Sequence, residues 1–338
     1  MANLFGTDLP IVAAPMAGGA TTTALVEAVT RAGGFAFLPA GYKSPDDVRK
    51  QMAELGAAGL VFGVNLFVPD DDPVDPDAFA AYAEELRPEA EALGVVLPAE
   101  PVTDDDHWSE KVDLLVSEPA AYVSFTFGLP SAREVAALRR AGSTLLATVT
   151  TVEEAYAAKE LGLDGLVAQG TDAGGHSGTH DPRRKLVPTD TGELVRAVAE
   201  TGLPIVAAGG VQDSVTVTSL LHAGADTVAV GTMLLRTEES GASSTHKAAL
   251  ADPRFTSTTI THAFTGRPAR GLLNGFIERH EETAPYGYPA IHHLTRALRA
   301  EAASAGDPER LHLWAGTGYR SAPTGPAADV VRHLGSLL

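Results

Sequence analysis

The stretch PIVAAGGVQDSVTVTSLLHAGADTVAVGT, residues 204–232, decides the fold. It opens on an apolar run, PIVAAGG (204–210), and ends on a second, TVAVGT (227–232). Short, continuous, β-branched runs of this kind suit strands that are buried on both faces. Between them SVTVTSLLHAGA carries apolar residues at helical spacing and ends near Gly224, the residue type that closes a helix in the left-handed conformation. A strand, a crossover helix and a second strand make the repeating unit of a parallel sheet.

The same rhythm runs upstream. PIVAAPM (10–16), FAFLPAG (35–41), VFGVNLFV (61–68), YVSFTFG (122–128), TLLATV (144–149) and GLVAQG (165–170) bring the number of apolar runs to eight. Amphipathic segments such as TALVEAVTRAGG, SAREVAALRRAG and TVEEAYAAKELG follow most of them. Eight strand–helix units that close on themselves predict an α/β protein of the (βα)8 barrel type. An open doubly wound sheet would carry GxGxxG after its first strand, and this chain has none there.

The barrel is expected over residues 1–240 and an extension over 241–338. An acidic, proline-rich insertion at 69–120, with two expected helices, separates the third and fourth strands and reads as a solvated lobe. Its aspartates lack the glycine and terminal glutamate of a calcium loop. After residue 240 the strand rhythm stops, and YPAIHHLTRALRAEAASAG marks a helical extension placed to fold over one barrel mouth.

Composition narrows the function. The 338 residues are 44% hydrophobic, and the formal net charge of −18 argues against nucleic acid or an anionic membrane as partner. Cysteine is absent, which removes disulfides, thiolate metal sites and cysteine nucleophiles. The start MANLFGTDLPIVAAPM has no signal-peptide pattern, and no apolar run reaches about 18 residues. A soluble cytoplasmic protein is expected, with assembly into a homo-oligomer left open.

In a barrel of this kind the chemistry gathers at the C-terminal strand ends. Those ends hold Ala14, Pro15 and Met16, Asn65, Thr126, the segment from Gln169 to His176, Gly209 and Gly210, and Ala229, Val230, Gly231 and Thr232. The glycines after the seventh and eighth strands expose amides where this fold usually binds phosphate. Gln169 suits the edge of a heterocycle, and Gly174 and Gly175 would let the backbone lie against a flat ring with His176 beside it. No metal is expected, because the His176–His180 spacing pairs ligands mainly on a helix, which Gly174, Gly175 and Gly178 disfavour.

APMAGG (14–19), GVN (63–65), QGTDAGGHSG (169–178), AAGGV (207–211), GT (231–232), FTGRPAR (264–270) and LWAGTG (313–318) together resemble the nitronate monooxygenase family. The likeness spans nearly the whole chain, and the tail is most similar to the class I branch. It implies FMN held noncovalently, with Met16, Asn65, Gln169 and Gly174 at the ring and Gly210, Gly231 and Thr232 at the phosphate. It places His176 as the active-site histidine and Tyr288 in the substrate cavity. The implied reaction is oxidation of alkyl nitronates or nitroalkanes by O2 to a carbonyl compound and nitrite. Relatives carry histidine at Thr126, glutamine at Ala229 and at Thr317, and some a tyrosine at His292, so the substrate wall departs from the pattern. NAD(P)H-dependent flavin reduction of quinones or enoyl thioesters, a specialised biosynthetic flavin oxygenase, and a barrel that binds without catalysis stay open. Arg267 and Arg270 could reach the flavin phosphate but read better as salt bridges holding the tail to the barrel, and Trp108 and Trp314 as packing anchors.

Overall fold

All eight apolar runs form strands in a computed structural model that describes residues 3–69 and 74–338. The eleven strands are β1 (Ile11–Ala13), β2 (Phe35–Pro39), β3 (Gly63–Phe67), β4 (Tyr122–Thr126), β5 (Thr144–Val149), β6 (Gly165–Gln169), β7 (Gly175–His176), β8 (Ile205–Ala208), β9 (Thr227–Val230), β10 (Thr258–Thr261) and β11 (Ala269–Leu272). Eight of them close in the order β1-β2-β3-β4-β5-β6-β8-β9. Every step is parallel, and β9 returns to β1 with Val228 opposite Ile11. The apolar runs lack alternation because side chains are buried on both faces: one set packs on the helices, the other fills the barrel.

Inside, Val12, Phe35, Phe37, Leu146 and Val206 form a separate cluster closed by Phe5. Phe5 stacks on Phe35 with ring centroids 4.0 Å apart, and Tyr122 Oη donates to the Leu4 carbonyl at 3.1 Å. A Cβ on Gly63 would lie 2.3 Å from the Phe37 ring, so only glycine admits that ring. The N-terminal segment thus plugs one end of the barrel and leaves the other for chemistry. Side-chain caps fix several ring helices, among them the capping box of Ser131 and Glu134 before Ala132–Ala141.

Three features differ from the sequence expectation. Within the insertion, helices Pro76–Glu85 and Arg87–Leu93 are followed by a third, Trp108–Ser117, which packs between Pro45–Ala57 and Ala132–Ala141 as a member of the ring. Trp108 anchors it, with its indole Nε1 donating to Glu134 at 2.7 Å. The first part of the expected lobe, residues 70–73, lies outside the described residues.

The lobe is also not simply solvated. Phe79, Tyr82 and Leu86 bury themselves against Phe264, Phe276, Ile277 and Leu294 of the tail. Glu89, 6% exposed, accepts from Arg279 Nε at 2.7 Å, His280 Nε2 at 3.1 Å and Arg310 Nε at 2.5 Å. The acidic composition concealed an apolar face because helix Pro76–Glu85 carries that face at only a few positions.

The tail, finally, contains strands as well as helices. β10 and β11 form an antiparallel hairpin, and β11 pairs with β7, Ala269 facing His176 and Arg270 facing Gly175. The sequences TTIT and ARGL gave no apolar run because this small sheet lies over the mouth, away from the barrel core. Helix Ala290–Ala305 crosses the same mouth, while the last helix, Ala327–Leu334, packs beside Thr23–Arg31 and Ser214–His222 and joins the barrel core through Val330, Val331 and Leu334. Among the described residues no helix is long and apolar enough to cross a membrane.

Candidate active site

A cavity of about 680 Å³ opens at the C-terminal strand ends under the small sheet and helix Ala290–Ala305. Ala14, Pro15 and Met16 reach it from β1, and Asn65 and Thr126 from β3 and β4. Gln169, Gly174, Gly175 and His176 line the side beyond β6, and Gly209, Gly210, Ala229, Val230, Gly231 and Thr232 the side beyond β8 and β9. Its size lies within the range of pockets that enclose a cofactor-sized ligand.

The polar floor is fixed by neighbouring strands. Asn65, 1% exposed, donates its Nδ2 to Ser124 Oγ and Thr126 Oγ1, both at 2.9 Å, and Thr126 continues to Thr148 Oγ1 at 3.2 Å. Thr126 therefore orients Asn65, whose Oδ1 has no protein partner among the described residues. Gln169 has a structural duty as well: Nε2 donates to the His176 carbonyl at 3.1 Å, and Oε1 accepts from the Gly178 amide at 2.6 Å. Both ends of its amide hold the 176–178 segment in place.

The glycines divide into two kinds. Gly209 and Gly210 take φ of +118° and +72°, a conformation that side chains resist, and their amides, with those of Gly231 and Thr232, donate to no protein acceptor among the described residues. Gly174 serves packing: a Cβ there would lie 2.4 Å from the Gly316 nitrogen, because the tail segment 313–318 crosses the loop and Gly316 N donates to Thr232 Oγ1 at 2.9 Å. Gly174→Ala is expected to lower stability by about 1–3 kcal/mol, the usual cost of overpacking, read as a shift of the urea midpoint. An unchanged midpoint would mean that the tail does not rest on this loop.

His176 stands on β7, where Ala269 pairs with it across the ladder. Its Nε2 lies 2.9 Å from Thr265 Oγ1, and its ring meets Phe127, Trp314 and Tyr288 at centroid distances of 5.6, 5.7 and 5.9 Å. Burial, followed by the charges of Arg267 and Arg299, brings its pKa down from the ordinary value near 6.5 to about 3. The imidazole is neutral at physiological pH.

A family profile for nitronate monooxygenase matches residues 1–336. The chain belongs to the nitronate monooxygenase family. A probable nitronate monooxygenase of Staphylococcus saprophyticus is 36% identical, across 94% of this chain and 91% of that one. A solved nitroalkane oxidase from Streptomyces ansochromogenes superposes with a TM-score of 0.93 at 43% identity, covering 98% of this chain and 95% of the other. FabK from Thermotoga maritima shares the fold at a TM-score of 0.75 and 22% identity, over 98% and 93% of the two chains. The protein is accordingly an oxidoreductase of the nitronate monooxygenase family on a (βα)8 barrel.

The wall in which this member of the nitronate monooxygenase family departs from the pattern has its own construction. His292 stacks on Tyr42 with centroids 4.2 Å apart, and its Nδ1 lies 3.1 Å from Arg299 Nη2. Tyr288 packs its ring against His176 but turns its hydroxyl to Tyr42 Oη, 3.3 Å away, and lines an adjoining hollow of about 200 Å³. It reaches His176 by its ring and not by its hydroxyl.

Arg299 and the strained Phe127 went unrecognised in the sequence, while Arg267, Arg270 and Trp314 were singled out there for the tail. Arg299 is seven residues beyond His292, the same face of one helix, so helical spacing alone could have found it. Arg267 is fully buried, with its guanidinium 4.1 Å from the centre of the Phe127 ring and a hydrogen bond to the Thr179 carbonyl. It does tie the tail to the mouth, while Arg270 does so through the Thr171 carbonyl at 2.7 Å. Phe127 itself takes φ +83°, strain that persists only where surrounding contacts over-determine it. Trp314 combines the packing role with a place on the cavity wall.

Proposed function

We propose that the chain binds FMN in this cavity and oxidises alkyl nitronates, or the parent nitroalkanes, with O2 to a carbonyl compound and nitrite. The observation that carries this reading is a neutral imidazole, His176, in a cavity that also holds the buried Arg299 and the free amides at the ends of β8 and β9. The residues fit such a cofactor. Free amides at Gly209, Gly210, Gly231 and Thr232 suit a phosphate, and the open Oδ1 of Asn65 suits a donor on a ring edge. Flavin bound there would supply the one-electron acceptor chemistry that couples an electron-rich anion to oxygen.

The remaining steps belong to the protein. His176 takes the α-proton of a neutral nitroalkane. As that proton leaves, negative charge grows on the nitro group; the guanidinium of Arg299 on the cavity wall stabilises it, and the charge of Arg267, seated over the Phe127 ring outside the cavity lining, adds at longer range. Those charges also depress the imidazole pKa, so the cost to the base is returned in the anion it creates. Phe127, Tyr288 and Trp314 enclose the imidazole and keep water from competing. The relatives named for nitronate and nitroalkane oxidation support the substrate class.

The test is the absorption spectrum of purified protein followed by anaerobic titration. Flavin absorbance bleached by a nitronate alone, with nitrite released when air is admitted, is the expected result. Bleaching by NADPH and not by a nitronate would replace this reading with a flavin-dependent reductase.

A further inference from the structure

The proton chemistry proposed above leaves open which nitrogen of His176 works and what makes it that one. The imidazole is held from one side only. Nε2 lies 2.9 Å from Thr265 Oγ1, whereas Nδ1 has no partner among the described residues and is not sealed in protein, on a side chain that lines the cavity. A neutral imidazole carries its hydrogen on one nitrogen, and the hydrogen bond made by the other end decides which. Thr265 has a single hydroxyl hydrogen. Its Oγ1 also lies 3.2 Å from the carbonyl of Arg267, an acceptor that can take only that hydrogen. With the hydrogen directed there, Oγ1 presents lone pairs to His176, and Nε2 must be the donor.

The surroundings keep this arrangement fixed. Thr265 is 1% exposed, and its amide donates to the His262 carbonyl at 3.2 Å. Arg267, whose carbonyl takes the hydrogen, is immobilised by the Thr179 carbonyl and by the face of Phe127. The segment 264–267 therefore orients the imidazole through its backbone and one hydroxyl, without itself lining the cavity.

From this geometry we propose that Thr265 is a positioning residue that locks His176 in the Nε2–H tautomer and leaves Nδ1 as the atom that accepts the substrate proton. The inference rests on the nitroalkane reading for its chemistry, but not for the tautomer itself. In the step, the Cα–H bond of the nitroalkane breaks and its electron pair stays on the substrate as the nitronate. The proton passes to Nδ1, giving an imidazolium whose Nε2–H still donates to Thr265. No other bond changes and no redox partner is consumed in this step.

Three proteins test it: wild type, Thr265→Val, which keeps the shape but removes the hydroxyl, and Thr265→Ser, which restores it. Nitrogen NMR of the flavin-loaded proteins grown with labelled histidine is expected to show the His176 pair, assigned by its loss in His176→Asn, as the Nε2–H tautomer in wild type and Thr265→Ser. In Thr265→Val both tautomers should appear. Steady-state kcat/KM for a neutral nitroalkane should fall about ten-fold in Thr265→Val, the worth of one hydrogen bond, while turnover of the preformed nitronate stays within about two-fold, the same bond being unused there. An Nδ1–H tautomer in wild type overturns the proposal, as does an equal loss on both substrates. Should wild type turn over no nitroalkane at all, the functional reading fails and the tautomer is still decided by the spectrum. Should Thr265→Val not fold, the wild-type spectrum decides it alone.

Discussion

Replacing His176 by Asn is expected to lower turnover of a neutral nitroalkane by about 10²–10⁴-fold, the range for loss of a positioned general base, with the fold and flavin content unchanged. Asparagine keeps a polar side chain on β7, and the ladder to Ala269 depends only on the backbone, so the small sheet over the mouth persists. It cannot accept a proton at neutral pH. A preformed nitronate arrives already deprotonated, and its turnover should fall far less; equal losses on both substrates would remove the base role. The pH dependence gives a second reading of the same residue. Arg267 from the tail, Arg299 and His292 from helix Ala290–Ala305, and Tyr288 and His312 all face the imidazole, and burial with the two arginine charges holds its pKa at about 3. A base works in its unprotonated form, so activity is lost only as pH falls through that value. The profile of kcat/KM for the neutral nitroalkane should therefore show no acid limb from His176 between about pH 5 and 8. A limb near the ordinary histidine value that disappears in His176→Asn would show an imidazole far more solvated than this one.

The barrel was legible because its strands are buried on both faces and are written as unbroken apolar runs such as PIVAAGG and TLLATV. The strand ends therefore located the cavity wall as well: Asn65, His176 and the glycines after β8 and β9 all reach it. What the local pattern could not carry was contact between distant segments. Gly174 was expected to make room for a flat ring, yet the atoms nearest its missing Cβ belong to Ala315 and Gly316 of the tail. Thr126, expected on the substrate wall, does line the cavity, but the local pattern gave no sign that its hydroxyl is shared with Asn65 and Thr148. The strain at Phe127 and the seat of Arg267 over its ring have no signature in composition or spacing, because both exist only once the tail has folded across the mouth. The hairpin of β10 and β11 was missed for a related reason, since strands that pair outside the core need no apolar run.

The junction between lobe and tail sets the second large effect. Glu89→Leu is expected to destabilise the protein by about 3 kcal/mol, because breaking a buried ion pair from one side leaves charges without a partner. The usual span is about 3–5 kcal/mol, and the lower end applies here because the side chains of Arg279 and Arg310 remain 44% and 30% exposed and regain water. His280, only 6% exposed, cannot, and is left with Glu85. The carboxyl's own titration gives the pH window. Burial alone would raise its pKa, but hydrogen bonds from His280, Arg279 and Arg310 outweigh that and bring it down to about 2. A carboxyl whose folded pKa lies below its unfolded value stabilises fully above the unfolded value, near 4.3, and loses that contribution as pH falls towards the folded one. Glu89→Gln should flatten this part of the acid-stability curve, read as urea midpoints at stepped pH. The same junction supports the cavity, since Phe79, Tyr82 and Leu86 of the lobe pack in one cluster with Leu294 and Leu298 of the helix that carries His292 and Arg299. Glu89→Leu should therefore raise KM for nitroalkanes more than it lowers kcat. A variant that keeps wild-type midpoints would mean that the apolar contacts alone hold the lobe against the tail.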